Sequence, residues 1–503
     1  LDIPGALSHA SSRDRHSPDW RRVARAAAGF RDPAASRGAR KPFVFLCRRI
    51  RFTSTSLPVM QTLDSHPEPN DTSQGVAGFE RPARAQSSAA VNAAGDQERI
   101  NPPDGAGERD LLLAHLDRLR PSVIKPANGH IRYPYCIPGG FYDQQWDWDG
   151  FFIASHLAAR TPPRAQYLKY WVLNILSSVL PDGEVPACMK PDGAKIGHPS
   201  LILKPFLAQG AELGSRLLGD HGWVEEHYET IVRIATRRET THFIHEYGLY
   251  VWDDAMQSGA DNNPAVGNDP GAVKAVAACD INAFLHREYL ALARLAARLG
   301  RKGDQAGFAA KAAALREAID KHLWDAVAES YWNLHVGTRQ WCQRVSYSNF
   351  VPLWAGMVPP ARAKAMIRRY LWSEVHMLTP HGLRSLSRRD PDYNNSNMII
   401  PYSNWQGPVW PIANYFFFVA LMNYGFRDEA RDLVGRLTRL YLRDIDFCGS
   451  LHENYNAETG QPLAPSALHS KNGREGGFLG WNLLLQDMIE MLGGRPNLLE
   501  LEA

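Results

Sequence analysis

The feature that most constrains this chain is a succession of helical apolar stripes that begins near Glu108 and runs almost to the end. Asp280 stands ahead of a run in which Ile281, Leu285, Tyr289, Leu292, Ala296 and Leu299 share one face, and Gly300 stops it. Asp304 opens a second run through Phe308, Ala312, Leu315 and Ile319 to Leu323. Pro162 and Pro163 open a third, carrying Tyr167, Tyr170, Trp171, Leu173, Ile175 and Leu176. The same period predicts helices over Leu201–Leu218, Trp223–Arg237, Ala361–Trp372, Trp410–Tyr424, Asp428–Leu442 and Phe478–Leu492. Strand-like pieces are short, such as Ser330–Val336. Long Gly/Pro/Asn loops separate the helices, which is where binding and catalytic groups concentrate. Residues 108–503 therefore read as one large, mainly α domain with long functional loops.

The stretch before it is different. Leu1–Met60 is rich in Arg, Ser and Ala, poor in acids, and holds only a stub of apolar residues, Val44–Cys47. It resembles an organellar transit peptide in composition, or non-native sequence upstream of a start at Met60, and the second reading is preferred. Residues 61–107 are polar with few large apolars. The expectation for 1–107 is a disordered or non-native N-terminal arm.

Composition removes several function classes. With 56 basic against 53 acidic residues the net charge is +3, too small for a nucleic-acid partner. The richest apolar run, Ile412–Met422, is too short to span a bilayer and reads as a buried helix. The six cysteines are scattered, with no C-x-x-C pair and no clustered His. That predicts no metal site, no disulfide framework and free thiols in a reducing, cytoplasmic compartment. No cofactor motif is present, and no motif specifies an oligomeric state. Fourteen Trp and eighteen Tyr suit flat apolar ligands such as sugar rings, although most such residues fill cores.

Five stretches carry candidate chemistry. In PGGFYDQQWDWDGFF, Pro138–Phe152, Trp146 and Trp148 alternate with Asp147 and Asp149 just before a helix. A sugar needs this mixture of apolar wall and hydroxyl acceptors. A helix cap at Gly150 would explain Asp149 but not the flanking tryptophans. In WDDAMQSGADNNP, Trp252–Pro264, Asp261 sits in a loop where an Asx-turn is an equal account. In SNWQGPVWPIANYFF, Ser403–Phe417, Gln406 and Gly407 lie between Trp405 and Trp410. GSLHENYNAETGQPL, Gly449–Leu463, places His452, Glu453 and Tyr455 in a polar loop. GGFLGW, Gly476–Trp481, leads into the last helix.

Taken together, these motifs resemble the glycoside hydrolases built on an (α/α)6 barrel: trehalases, family 63 glucosidases, and mannosylglycerate and glucosylglycerate hydrolases. The first stretch is similar to the trehalase opening signature. SGADNNP, NWQGPVWP and SLHENYNAETGQPL resemble the family's later loops, in the same order, across residues 108–495. The resemblance implies an all-α (α/α)6 barrel. It implies that Asp261 is a general acid and Glu453 a general base. It places Tyr142, Trp146, Trp148 and Asp149 on the sugar-binding wall, Trp405, Gln406, Gly407 and Trp410 on further lining, and Trp481 as a closing aromatic. In the resulting mechanism a protonated Asp261 serves the leaving oxygen and an ionised Glu453 holds a water.

The chain departs from the glycerate-glycoside enzymes at Met256 and Gln257, where they carry Trp-Glu, at Lys204, where they carry Gln, and at Gln406, where they carry Arg. The expected activity is inverting, exo-acting hydrolysis of a small α-glucoside or α-mannoside. A phosphorylase on a similar barrel and a non-catalytic sugar-binding protein are the alternatives.

Overall fold

The computed structural model describes residues 105–501 except 140–141, 181–182, 194–200, 268–274, 397–402 and 464–476. Residues 1–104 of the expected arm lie outside the described residues.

Among the described residues, twelve helices alternate between two rings. The inner ring is formed by α2 (Asp147–Arg160), α4 (Leu207–Leu218), α6 (Cys279–Arg298), α8 (Val351–Trp354), α10 (Pro411–Asn423) and α12 (Leu484–Leu492). Successive inner helices touch, and α12 returns to α2, so the ring closes. The outer helices are α1 (Gly105–Leu119), α3 (Gln166–Leu176), α5 (Gly222–Ala235), α7 (Lys302–His322), α9 (Pro360–Met366, continued by a π-helical turn over Ile367–Leu371) and α11 (Arg427–Cys448). This is an (α/α)6 barrel.

The residue patterns explain which helix goes where. Pro411–Leu421 of α10 is buried on every side, as an apolar helix must be when neighbours surround it. By contrast, α7 buries only Phe308, Ala312, Leu315 and Ile319, a single stripe facing α6. The remaining surface of α7, a mixture of alanine and charged residues, is largely exposed.

Polar locks join the inner helices. Glu288 of α6 accepts the backbone N–H groups of Ala208 (2.7 Å) and Gln209 (3.2 Å), satisfying the first turn of α4, which has no side-chain cap of its own. Where the ring closes, Asp487 of α12 accepts from Arg160 of α2 at 2.7 Å and pairs with His156 Nδ1 at 2.7 Å.

Several helix boundaries differ from the sequence expectations. Helix α4 starts at Leu207 rather than Leu201, because Pro205 biases the residue before it away from helical backbone. Helix α12 starts at Leu484, after a turn over Gly480–Leu483. Helix α11 runs on to Cys448, where Gly449 ends it in the left-handed region, φ 76°. Asp280 lies inside α6, whose N-cap is Ala278. It is a buried acceptor for Trp252 Nε1 (2.8 Å) and the Tyr347 hydroxyl (2.9 Å). The strand-like stretch at 330 forms two short strands, Ser330–Tyr331 and Asn333–His335.

Candidate active site

The site residues stand in the first turns of inner helices or in the stretches before them: Asp149 in α2, Asp261 before α6, Trp405 and Gln406 before α10, Glu453 and Trp481 before α12. Asp147 and Asp149 occupy the first turn of α2, where the helix dipole favours acids. The N-cap is Trp146, in extended backbone, so Asp149 is not the cap. Trp146 is held in a short ladder in which Gln145–Trp146 pairs antiparallel with Cys188–Met189.

The tryptophans form a continuous wall. Trp405 stacks on Trp410 with ring centroids 4.3 Å apart, and Trp410 lies 5.8 Å from Trp481. Trp481 meets Trp148 edge-on at 5.5 Å. Phe478 joins Trp481 to Tyr142, and Tyr142 meets Trp146 at 6.1 Å. Trp148, Trp405, Trp410 and Trp481 are buried, whereas Tyr142, Trp146, Asp261, Gln406 and Glu453 keep partial access to solvent. The indole N–H groups of Trp146, Trp405 and Trp481, and both amide atoms of Asn454, are buried without a hydrogen-bond partner among the described residues.

The structure brings the acids together. The Tyr142 hydroxyl lies 3.3 and 3.5 Å from the two carboxylate oxygens of Glu453. Desolvation raises Glu453 well above the usual carboxylate range, and the charges of Asp149 and Asp261 raise it further. Asp149 is pushed up to about 8, first by burial and then by Asp147. These directions run against the expectation of a Glu453 that simply stays ionised. Neighbouring carboxyls of like charge raise one another's proton affinity, which adds to the effect of burial on Asp149 and Glu453.

Asp261 sits on a loop whose shape is fixed on both sides. Asn262 accepts the Trp405 backbone N–H at 2.6 Å and donates to Asn404 at 3.1 Å. Gln406 donates to the Asn262 carbonyl at 3.1 Å and accepts from Asn394 at 2.9 Å. Gln406 therefore ties the Asp261 loop to the wall. Gly407, φ 155°, is required by the backbone: a Cβ there would lie 2.3 Å from the Asn394 carbonyl oxygen. Gly259, φ 81°, lets the Asp261 loop close on the wall, since a Cβ would lie 2.7 Å from Trp148 Cζ2 and 2.8 Å from Lys204 Cε. Gly259→Ala is expected to cost about 1–3 kcal/mol through backbone strain and the displaced indole, read as a lower melting temperature.

Sequence reasoning left out several residues that complete the site. Lys204, noted only as a departure, is buried against Asp147, with Nζ at 3.3 Å from the carboxylate and 5.1 Å from the centre of the Trp148 ring. Asp147 also accepts the Lys204 backbone N–H at 2.9 Å. Tyr347 packs on Trp405 at 5.0 Å and feels the charge of Asp261. Phe478 was visible only as a member of a Gly-rich motif. Behind Glu453, Asp444 accepts the His452 backbone N–H at 3.0 Å and the Tyr455 hydroxyl at 2.8 Å, anchoring that loop to α11. The expectation that no cysteine has a His beside it is corrected here. Cys448 lies near both Asp444 and His452, because a D-x3-C-x3-H spacing brings the three together where α11 ends. No helix among the described residues is long and apolar enough to cross a membrane.

The fold is shared with solved structures. Mannosylglycerate hydrolase from Thermus thermophilus in complex with glucose superposes with TM-score 0.55 at 19% identity, over 77% of this chain and 100% of that one. Neutral trehalase from Saccharomyces cerevisiae gives TM-score 0.53 at 16% identity, over 72% and 76%. By sequence, a cytosolic neutral trehalase of Neurospora crassa is 29% identical over 161 residues, 32% of this chain and 21% of the trehalase. A mannosylglycerate hydrolase of Rubrobacter radiotolerans is 29% identical over 159 residues, 32% of this chain and 35% of that enzyme. The matched stretches thus span a fifth to about a third of these relatives' lengths. A family profile described as the mannosylglycerate hydrolase MGH1-like glycoside hydrolase domain matches residues 142–472. On that match, which spans Tyr142, Trp146, Trp148, Trp405 and Trp410 of the wall together with Asp149, Asp261 and Glu453, the chain belongs to the MGH1-like glycoside hydrolases.

Proposed function

We propose that the chain is an inverting, exo-acting α-glycosidase, active in the cytoplasm without a cofactor. Its substrate is a small α-glucoside or α-mannoside, trehalose-like or a glycerate glycoside. The observation that carries this reading is geometric: Glu453 lies 3.3 Å from the Tyr142 hydroxyl beside the chain of packed tryptophans, with Asp149 and Asp261 close enough to raise its proton affinity. Asp261 gives its proton to the leaving oxygen. Glu453 takes a proton from a water that attacks the anomeric carbon from the opposite face. The C–O bond to the aglycone breaks as the new C–O bond forms, so configuration inverts.

The polar inventory supports a hydroxylated ligand. Three orphan indole donors and an unpaired amide are costly in a protein interior unless a partner arrives, and sugar hydroxyls are suitable partners. Hydroxyls and a water donating to Glu453 would also draw its proton affinity back down, which restores a base near neutral pH. The described portion, like residues 108–503 as a whole, acts as one catalytic domain in this reading, with residues 1–107 dispensable.

The test is the anomer first released from an α-linked substrate, read by proton NMR before mutarotation. The β-anomer is expected from trehalose or from an α-mannosyl or α-glucosyl glycerate. Release of the α-anomer would overturn the mechanism, and turnover that requires inorganic phosphate would transfer the assignment to a phosphorylase.

A further inference from the structure

We propose that Asp444, Cys448 and His452 form a binding site for Zn2+ at the root of the loop that carries Glu453. The three ligand atoms already surround one point. Cys448 Sγ lies 3.4 Å from Asp444 Oδ1 and 4.0 Å from His452 Nδ1, and His452 Nδ1 lies 3.0 Å from Asp444 Oδ1. Three ligands at ordinary zinc bond lengths in a tetrahedral arrangement stand roughly 3.3–3.6 Å apart. Side-chain shifts of a few tenths of an ångström convert the cluster into three corners of that tetrahedron. Asp444 and His452 are buried, while Cys448 keeps partial access to solvent, so the cluster meets solvent on the Cys448 side.

The ligand set selects the metal. A thiolate, an imidazole nitrogen and a carboxylate oxygen suit Zn2+, and hard ions such as Mg2+ avoid sulfur. Asp444 can serve without releasing the loop. Its Oδ2 keeps the His452 backbone N–H (3.0 Å) and the Tyr455 hydroxyl (2.8 Å), while Oδ1 turns to the metal. Binding releases one proton to solvent, that of the thiol, and takes His452 as the neutral tautomer whose proton sits on Nε2, leaving Nδ1 free for the ion.

Cys448 touches none of the groups assigned to the sugar, so the site can be tested apart from turnover. The full chain, stripped with a chelator, is titrated with zinc chloride by calorimetry. One equivalent is expected to bind with a dissociation constant of about 10 µM or tighter. Cys448→Ser and Cys448→Ala should each weaken binding at least tenfold while leaving basal turnover unchanged. A second measurement uses the unaltered chain and does not depend on a variant folding. Alkylation of the native protein is mapped by mass spectrometry, with zinc expected to protect Cys448 and magnesium expected to have no effect. Cys342, also partly exposed, serves as the internal control. Equal zinc affinity in both Cys448 variants, or alkylation of Cys448 indifferent to zinc, would overturn the proposal whatever the sugar substrate proves to be.

Discussion

Asp261→Asn and Glu453→Gln are each expected to lower kcat by about 10³-fold or more, while the sugar still binds. General acid and general base catalysis each contribute roughly 10²–10⁴-fold, and neither amide can transfer the proton concerned. Binding is read separately, by quenching of the tryptophan wall on titration with substrate. The two variants should differ in one respect. An aryl glycoside, whose leaving group needs no proton, should recover much of its rate with Asp261→Asn and none with Glu453→Gln. Equal losses on both substrates would remove the acid and base assignments. The pH profile supplies a second check. With Glu453 as the proposed base, activity would require its ionised form, and burial with the charges of Asp149 and Asp261 raises that group. The acidic limb of kcat/KM, which reports the free enzyme, should therefore lie above the normal carboxylate range.

Asp149→Asn is expected to abolish turnover and yet stabilise the fold. Burial, then the charge of Asp147, holds Asp149 at about 8 in the folded chain, against an ordinary value of 3.8. Between those two values the folded state keeps a proton that the unfolded state has released. Stability therefore falls as pH rises through the window from about 4 to about 8, and the full penalty is present above it. Asparagine has nothing to ionise. At pH 8 the variant should unfold several degrees above the parent, a gain on the order of a few kcal/mol, and the difference should vanish near pH 4. Differential scanning calorimetry at three pH values would show it. A variant less stable at every pH would make Asp149 a structural group and not one held under strain for the ligand.

The barrel itself was only partly legible in the chain. Local periodicity distinguishes α10, apolar on every face, from α7 with its single stripe, so the inner and outer character of some helices can be read directly. Where the helices begin is harder. Leu201–Leu203 are apolar but only half-buried in a loop, Phe478–Trp481 are buried in one, and periodicity cannot tell an apolar loop from a helix. Pro205 carried the information for α4, through the restriction it places on Lys204. The motif residues did converge: Tyr142, Asp149, Asp261 and Glu453 sense one another despite separations of up to 311 positions. What stayed hidden was the second partner of each group. Nothing local indicates that Lys204 lies against Asp147, or that Asp444, a polar residue within the apolar stripe of α11, anchors the loop behind Glu453.

The closure of α12 onto α2 also shapes how the molecule reaches its native state. The other inner contacts join helices that follow one another along the chain, whereas the last one joins segments more than 300 residues apart, as His156 and Asp487 illustrate. Loop-closure entropy makes such a contact the most expensive to form, and topologies rich in them assemble slowly. The same contact brings Trp481 to Trp148 and Glu453 to Asp149. A ring left open at that point contains most of its helices but lacks the Trp148–Trp481 contact and the approach of Glu453 to Asp149. An arc lacking either the α2 or the α12 end of the barrel therefore holds only part of the site, since Asp149 stands at one end and Glu453 and Trp481 at the other.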